Sequence, residues 1–434
     1  MENVLDLTTK ILVFIFVSLI EFRIFENKSI SLADLVFLIL FTLFFIKLNR
    51  RYFSILKSVD DKKHIVQTFI VFSTIWIVSY ITPIFGFFES FEFFIENRFM
   101  IIGSIYLVTI AFVFYFISIR FGWRLIATAV FFAGLVNAIL GFIGVFLYIY
   151  GIESQLVCIG CTSSPYMSGI PRVVGFSLTP NGYAYAQFSA LMMAPTLLSY
   201  RSKGYILSAI SVIALSLFMS FSKTSLLFLL AYFIFGILYF IQNSNYEKYR
   251  SILLYGSLFI GVCLYLSVTS ILVIKKNSEN LKCNYGDEII FFETIIPNDV
   301  KLCPSFFVQQ KFMYFKKGSE SLPWGMGASN KISNKSKPHS TYFERYALHG
   351  FVGLLSLIFM VYFIAKLLFH MKNDRGSWDP TYIAFLLFWI MNLSIAFNGD
   401  ILRFRELWVM LALTIGIVMS NTLPPQTAQH LKQN

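Results

Sequence analysis

Charge is scarce in this sequence. Asp, Glu, Lys and Arg make up 13% of its 434 residues, about half the quarter typical of soluble domains, which excludes an ordinary water-soluble fold. The shortage is greatest inside the apolar runs, where Asp34 stands near the start of one and Asn137 and Asn392 are the main polar residues near the middle of others. Proton-coupled carriers place acids or histidines at such depths, where they are costly unless used, so their scarcity argues against a transporter. Cysteine is rare as well, five in all. No second close pair or neighbouring histidine accompanies Cys158-Ile-Gly-Cys161 to complete a zinc site. The sequence also lacks internal repeats, low-complexity tracts and any stretch with the composition of a soluble domain. No cleavable signal with a small-residue processing site precedes the first apolar run, so that run is expected to stay in the mature chain.

Apolar residues are what the sequence has in excess: 57% are hydrophobic and the mean hydropathy is +0.70. Runs near the roughly 20 residues needed to cross hydrocarbon recur at 8–24, 31–48, 66–88, 99–119, 125–150, 183–200, 204–221, 224–242, 251–274, 346–368, 380–398 and 404–421. They predict an all-α polytopic membrane protein of about twelve transmembrane helices, one integral membrane domain over residues 1–434. Lys and Arg are retained on the cytoplasmic side of short loops, and placing both termini inside assigns about fifteen of them to inner connections against roughly seven outside. The acidic stretch Glu89 to Glu96 then lies outside, as do two polar loops, 151–182 and 275–345, the second between about helices 9 and 10.

This topology accounts for most of the net charge of +12, because the basic residues are dispersed through inner loops and form no nucleic-acid face. The long outer loop is an exception, with ten lysines and six acids from Lys275 to Ser340. A basic surface there suits an anionic partner such as lipid phosphates, or is a solvated loop. Four of the five cysteines, Cys158, Cys161, Cys283 and Cys303, fall in the outer loops, and Cys263 lies within a span. An even number in an oxidising compartment reads as disulfides. Three pairings are open, the simplest being one bond within each loop.

Three outer segments carry the candidate chemistry. In Ile170-Pro-Arg172-Val-Val-Gly175-Phe-Ser-Leu-Thr-Pro180-Asn181-Gly182, a Pro-Asn-Gly turn leads into a span and holds Arg172 near the interface. The guanidinium matches phosphate oxygens bidentately, making Arg172 either a diphosphate ligand or an interfacial contact to headgroups. In Ser220-Phe-Ser222-Lys223-Thr224-Ser225, hydroxyls and a lysine open a helix whose free N–H groups can hold an anion, the alternative being a snorkelling lysine. The third segment is Gly325-Met-Gly327, then His339-Ser340-Thr341-Tyr342-Phe343-Glu344-Arg345, ending at His349-Gly350. Thr341-x-x-Glu344 fits a capping box and predicts a helix start there. The positive helix end would keep the His339 ring neutral and able to accept a proton, unless His339 is merely a solvated loop residue.

Arg172 with Gly175 and Pro180-Asn181, then Ser-x-Ser-Lys ending at Lys223, then Gly-x-Gly followed by His339-Ser340 and Gly350, resemble the O-antigen polymerase and ligase superfamily over about 170–360, with the twelve-helix layout in support. Lys223 stands where that family usually has arginine, and Ser340 where it more often has asparagine. The resemblance implies a glycosyltransferase that needs neither metal nor cofactor and uses a glycan carried on undecaprenyl diphosphate in the bacterial inner membrane, with its catalytic face periplasmic. His339 would deprotonate the acceptor hydroxyl, while Arg172, Lys223 and Arg403 stabilise the departing diphosphate. Partners would be the lipid-linked glycan, membrane lipids and a chain-length regulator, and no nucleic acid. A polymerase adds the chain to another lipid-linked repeat unit, a ligase to the lipopolysaccharide core; the aromatic composition, 50 Phe and 23 Tyr, favours polymerase within the resemblance. A lipid-linked oligosaccharide flippase or exporter is the reading from another class, and it predicts a charged cavity and repeat symmetry.

Overall fold

The structure is a computed structural model that describes residues 2–20, 32–47, 63–86, 90–158, 171–177, 179–198, 203–242, 273–276, 300–303, 306–327, 340–376, 378–396 and 404–420. Twelve α-helices are present among the described residues: α1 (Glu2–Leu19), α2 (Leu32–Lys47), α3 (Lys63–Ile81), α4 (Ser90–Phe121), α5 (Trp123–Ile149), α6 (Pro180–Leu198), α7 (Lys203–Met219), α8 (Lys223–Gln242), α9 (Phe306–Glu320), α10 (Thr341–Arg375), α11 (Pro380–Ile395) and α12 (Arg405–Ser420). Two short antiparallel ladders accompany them, β1 (Val157–Cys158) with β2 (Arg172–Val173) and β3 (Val273–Lys276) with β4 (Val300–Cys303). Among the described residues four helical segments are long and apolar enough to cross a membrane, Lys63–Gly86, Met100–Phe121, Trp123–Ile149 and Thr341–Arg375, and several shorter helices are apolar too. The expected span at 251–274 and much of the 275–345 loop lie outside the described residues.

The helices pack with apolar residues both inside and out. Nearly every residue of α6 and α12 is buried, as expected of helices that are hydrophobic all round and sit in a bundle core. On the outside Ile102, Phe351, Ile358 and Phe369 are more than half exposed, an arrangement that water disfavours and hydrocarbon does not. α6 lies against α5, α7, α8 and α11, α10 against α3, and α12 against α4.

Polar contacts collect at two ends of the bundle. At one end Arg120 meets Asp6 (2.8 Å), His64 Nε2 meets His370 Nε2 (3.1 Å) and Lys366 donates to Thr68 (3.0 Å). At the other, Arg405 pairs with Asp34 (2.8 Å) and donates to the Ile20 carbonyl (2.8 Å), and the Tyr106 hydroxyl donates to Asp34 (2.5 Å). Asp34 thus answers a half-buried arginine and a tyrosine from two other helices, the pairing that makes an ion tolerable at such a site. The second end also gathers every described part of the three segments singled out above.

The third segment departs from expectation in one detail. The helix starts where the capping box suggested, but Ser340 is its N-cap, one residue earlier, and the side chain makes no cap bond. The Thr341 N–H instead donates to the Ala396 carbonyl at the end of α11 (2.8 Å). A second departure is α9, a helix inside the loop read as polar. Its buried positions Lys311, Tyr314 and Gly318 are spaced by three and four, but a lysine on the inward face hides that stripe from a hydrophobicity count.

Candidate functional site

Arg172 lies in β2 directly opposite Cys158 of β1. Its strand continues into a turn whose N–H groups are taken up from two sides: Val174 and Gly175 donate to the Leu156 carbonyl, and Phe176 donates to Asn137 Oδ1 of α5 (2.8 Å). Asn137, noted in the sequence as an isolated polar residue in mid-span, therefore supports the outer turn. Gly175 has φ 52°, and a Cβ there would lie 2.1 Å from Asn137 Oδ1, so both the conformation and the space require glycine. The Pro-Asn-Gly signal resolves differently from a turn: Pro180 is the first residue of α6, and Thr179 Oγ1 accepts from the Gly182 N–H (3.1 Å). Proline fits a first helical position because its missing N–H would have no partner there.

The Arg172 side chain is buried, with 8% exposure. Its Nε donates to the Ser220 carbonyl (3.0 Å) and its Nη2 to the Phe221 carbonyl (2.8 Å), so one edge of the guanidinium fork clamps the α7 to α8 turn. The first and second segments, 48 positions apart, are thereby one unit. Burial holds the guanidinium below its ordinary pKa, since desolvation disfavours the charged form. In the clamped turn Phe221 has φ 45°, a region uncommon for a bulky residue. Ser222 then caps α8 reciprocally: its Oγ accepts from the Ser225 N–H (2.9 Å) and the Ser225 Oγ from the Ser222 N–H (3.1 Å). Lys223 is the first residue of α8; its side chain lies outside what is described.

The third segment is held by backbone pairing. α10 is interrupted at Gly350 (φ 60°, ψ −147°), and the groups this frees are matched by the chain after α9. Met326 N–H donates to the Ala347 carbonyl (3.0 Å), Gly327 N–H to Leu348 (3.0 Å), and Phe351 N–H to Pro323 (2.9 Å). A Cβ on Gly325 would lie 2.4 Å from Gly350 N, and one on Gly350 would lie 2.2 Å from the Pro323 carbonyl. Gly325 and Gly350 are thus two sides of a single backbone crossing.

His339, Arg403, Cys161 and Cys283 lie outside the described residues, so the structure reports on their neighbours. Ser340, after His339, is fully buried. Phe404, after Arg403, packs its ring 4.7 Å from Tyr185 of α6, which in turn meets Phe228 of α8 (5.4 Å). Cys158 is disulfide-bonded; Cys303 pairs its backbone with Val273 in the second ladder, and its side chain is not described.

Neither a protein-family model nor a curated protein matches this chain significantly. The resemblance therefore rests on the motifs and their order.

Sequence reasoning passed over several residues at this end. Arg345 is 4% exposed; its guanidinium carbon lies 3.5 Å from the Trp76 ring centroid and 4.3 Å from that of Tyr80, and Nη1 donates to Ser79 (3.2 Å). This cation–π seat fixes α10 against α3 just beyond Ser340. Glu406 is buried and lines, with Asn137, Phe176 and Ser189, a cavity of about 30 Å³, room for two or so waters. Acids and arginines in apolar helices were the available signal. Among the described residues no cluster of His, Cys, Asp and Glu could hold a metal ion.

Proposed function

We propose that the protein is a membrane glycosyltransferase that polymerises a surface polysaccharide, transferring a glycan from undecaprenyl diphosphate to a hydroxyl of a lipid-linked repeat unit. The observation that carries the reading is the clamp of Arg172 on the carbonyls of Ser220 and Phe221. It joins two of three motif segments widely separated in sequence, at the same bundle end as the helix start that follows His339.

In this mechanism His339 takes the proton of the acceptor hydroxyl as its oxygen attacks the anomeric carbon. The bond from that carbon to the diphosphate oxygen breaks, with inversion, and the diphosphate leaves as an anion. Cations and helix N-terminal N–H groups placed where that charge develops lower the barrier. One edge of the Arg172 fork is engaged with carbonyls, so Arg172 would act through its remaining edge and by shaping the turn that presents Lys223; Arg403 would approach from the start of α12. The protein would sit in the bacterial inner membrane with cytoplasmic termini and this end periplasmic. An O-antigen ligase would use the same donor chemistry with lipid A-core as acceptor.

The test is transfer by purified protein in vesicles supplied with a lipid-linked repeat unit. The wild type should lengthen the glycan and release undecaprenyl diphosphate, and His339→Ala should lose about 10² to 10⁴ in rate at unchanged abundance. Near-normal transfer by that variant would remove the mechanism.

A further inference from the structure

The chain between α9 and the Gly325 crossing turns apolar residues outward: Leu322, Pro323 and Trp324 are all exposed. The tip is nonetheless held in place. The Gly325 N–H donates to the Ser321 carbonyl (3.0 Å), and the Pro323 carbonyl accepts from Phe351 (2.9 Å). The Trp324 ring lies 5.2 Å from that of Phe85, in the turn Thr82–Gly86 that follows α3, and Phe85 is 68% exposed. Exposed apolar groups thus meet here from three parts of the chain, and they continue along α10. Phe351, Ile358, Tyr362 and Phe369 are each more than half exposed and, at spacings of seven, four and seven, share one helix face.

Contacts fix the level of this tip. α3 and α10 are tied at one end by His64 with His370 and at the other by the tip, through Phe85 and Phe351. About 20 residues separate the two ties on either helix, about 30 Å at helical rise and the thickness of bilayer hydrocarbon. Charge agrees with that measure: no Asp, Glu, Lys or Arg occurs from Phe351 to Ala365 or from Ile65 to Phe88, whereas Glu344 and Arg345 come just before Phe351.

We propose that Leu322, Pro323 and Trp324, with Phe85 and Phe351, form an anchor seated in the interfacial layer of the bilayer, so that this part of the loop lies on the membrane and not in water. An indole suits that layer because its ring is apolar and its N–H polar. The exposed stripe of α10 then faces hydrocarbon and ends at the headgroups, which leaves no large apolar patch in water. The residues from Thr341 to Gly350, about 15 Å of helix, stand beyond the hydrocarbon with the buried Glu344 and Arg345.

Tryptophan quenching in the purified full-length protein, reconstituted in vesicles, tests the anchor. Phosphatidylcholine brominated high on its acyl chains quenches rings at the interface, and iodide quenches rings in water. Trp324→Phe removes one of six tryptophans, so it should remove a bromolipid-quenched share of about one part in six of the emission and leave iodide quenching unchanged, at the wild-type unfolding midpoint. If that variant does not accumulate, Trp324→Tyr takes its place. A Trp324 share quenched by iodide and not by bromolipid would put the tip in water, and a share quenched by neither would put it against protein; either result overturns the anchor.

Discussion

Arg172 holds two carbonyls of a turn between two other helices, and no other cation type reproduces that contact. A lysine keeps the charge but has no planar fork, so it can satisfy one carbonyl and leaves the other buried without its partner. Arg172→Lys should therefore lower stability by about 1.5–3 kcal/mol, the scale of a hydrogen bond to a charged group, and reduce transfer with it. Thermal unfolding beside the transfer assay checks both. Lost transfer at an unchanged midpoint would move Arg172 from the turn to the donor itself, and no effect on either would remove it from the site. The sequence singled out Arg172 because arginine beside glycine and proline at a span edge is a local signal. It could not show what Arg172 touches, because Ser220 and Phe221 are brought there by α6 and α7 packing together.

Among the elements, α10 shows how far local signals reach. Its start was legible from polar residues ahead of an apolar run, and its interruption was not, since Gly350 inside a long apolar helix reads as an ordinary helical glycine. The break exists because Gly325 crosses it, and that pairing is tertiary. α9 was missed for a related reason: its inward face carries Lys311, which is legible only once α10 is seen to cover it. Gly350→Ala tests the crossing. Alanine would be forced to φ 60° and ψ −147° with its Cβ 2.2 Å from the Pro323 carbonyl, a conformation costing about 1–3 kcal/mol before the clash is counted. The unfolding midpoint should fall accordingly, and the α9 to α10 loop should become more open to protease. A variant as stable and as resistant as the wild type would mean that α10 can run straight through. His349, close to His339 in sequence, belongs to this packing: it is 4% exposed with its ring 4.4 Å from Tyr80.

At the scale of the whole molecule, composition alone announced apolar helices of the kind that suits a membrane, because a chain with so few charges cannot cover its surface with polar groups. Helix pairing was beyond it, since apolar runs of similar length are interchangeable to a hydropathy count. The structure separates the end where Arg172 clamps the α7 to α8 turn from one closed by Arg120 with Asp6 and His64 with His370, and the proposed chemistry belongs to the first. Deleting the gene in its host and examining both surface lipopolysaccharide and the lipid-linked pool asks most directly whether that chemistry is polymerisation. A polymerase deletion should leave cores capped by single repeat units, with long chains restored by the wild-type protein and not by His339→Ala. Unchanged long chains in the deletion strain, or their restoration by His339→Ala, would contradict it, and bare cores with polymer stranded on undecaprenyl diphosphate would replace polymerase with ligase.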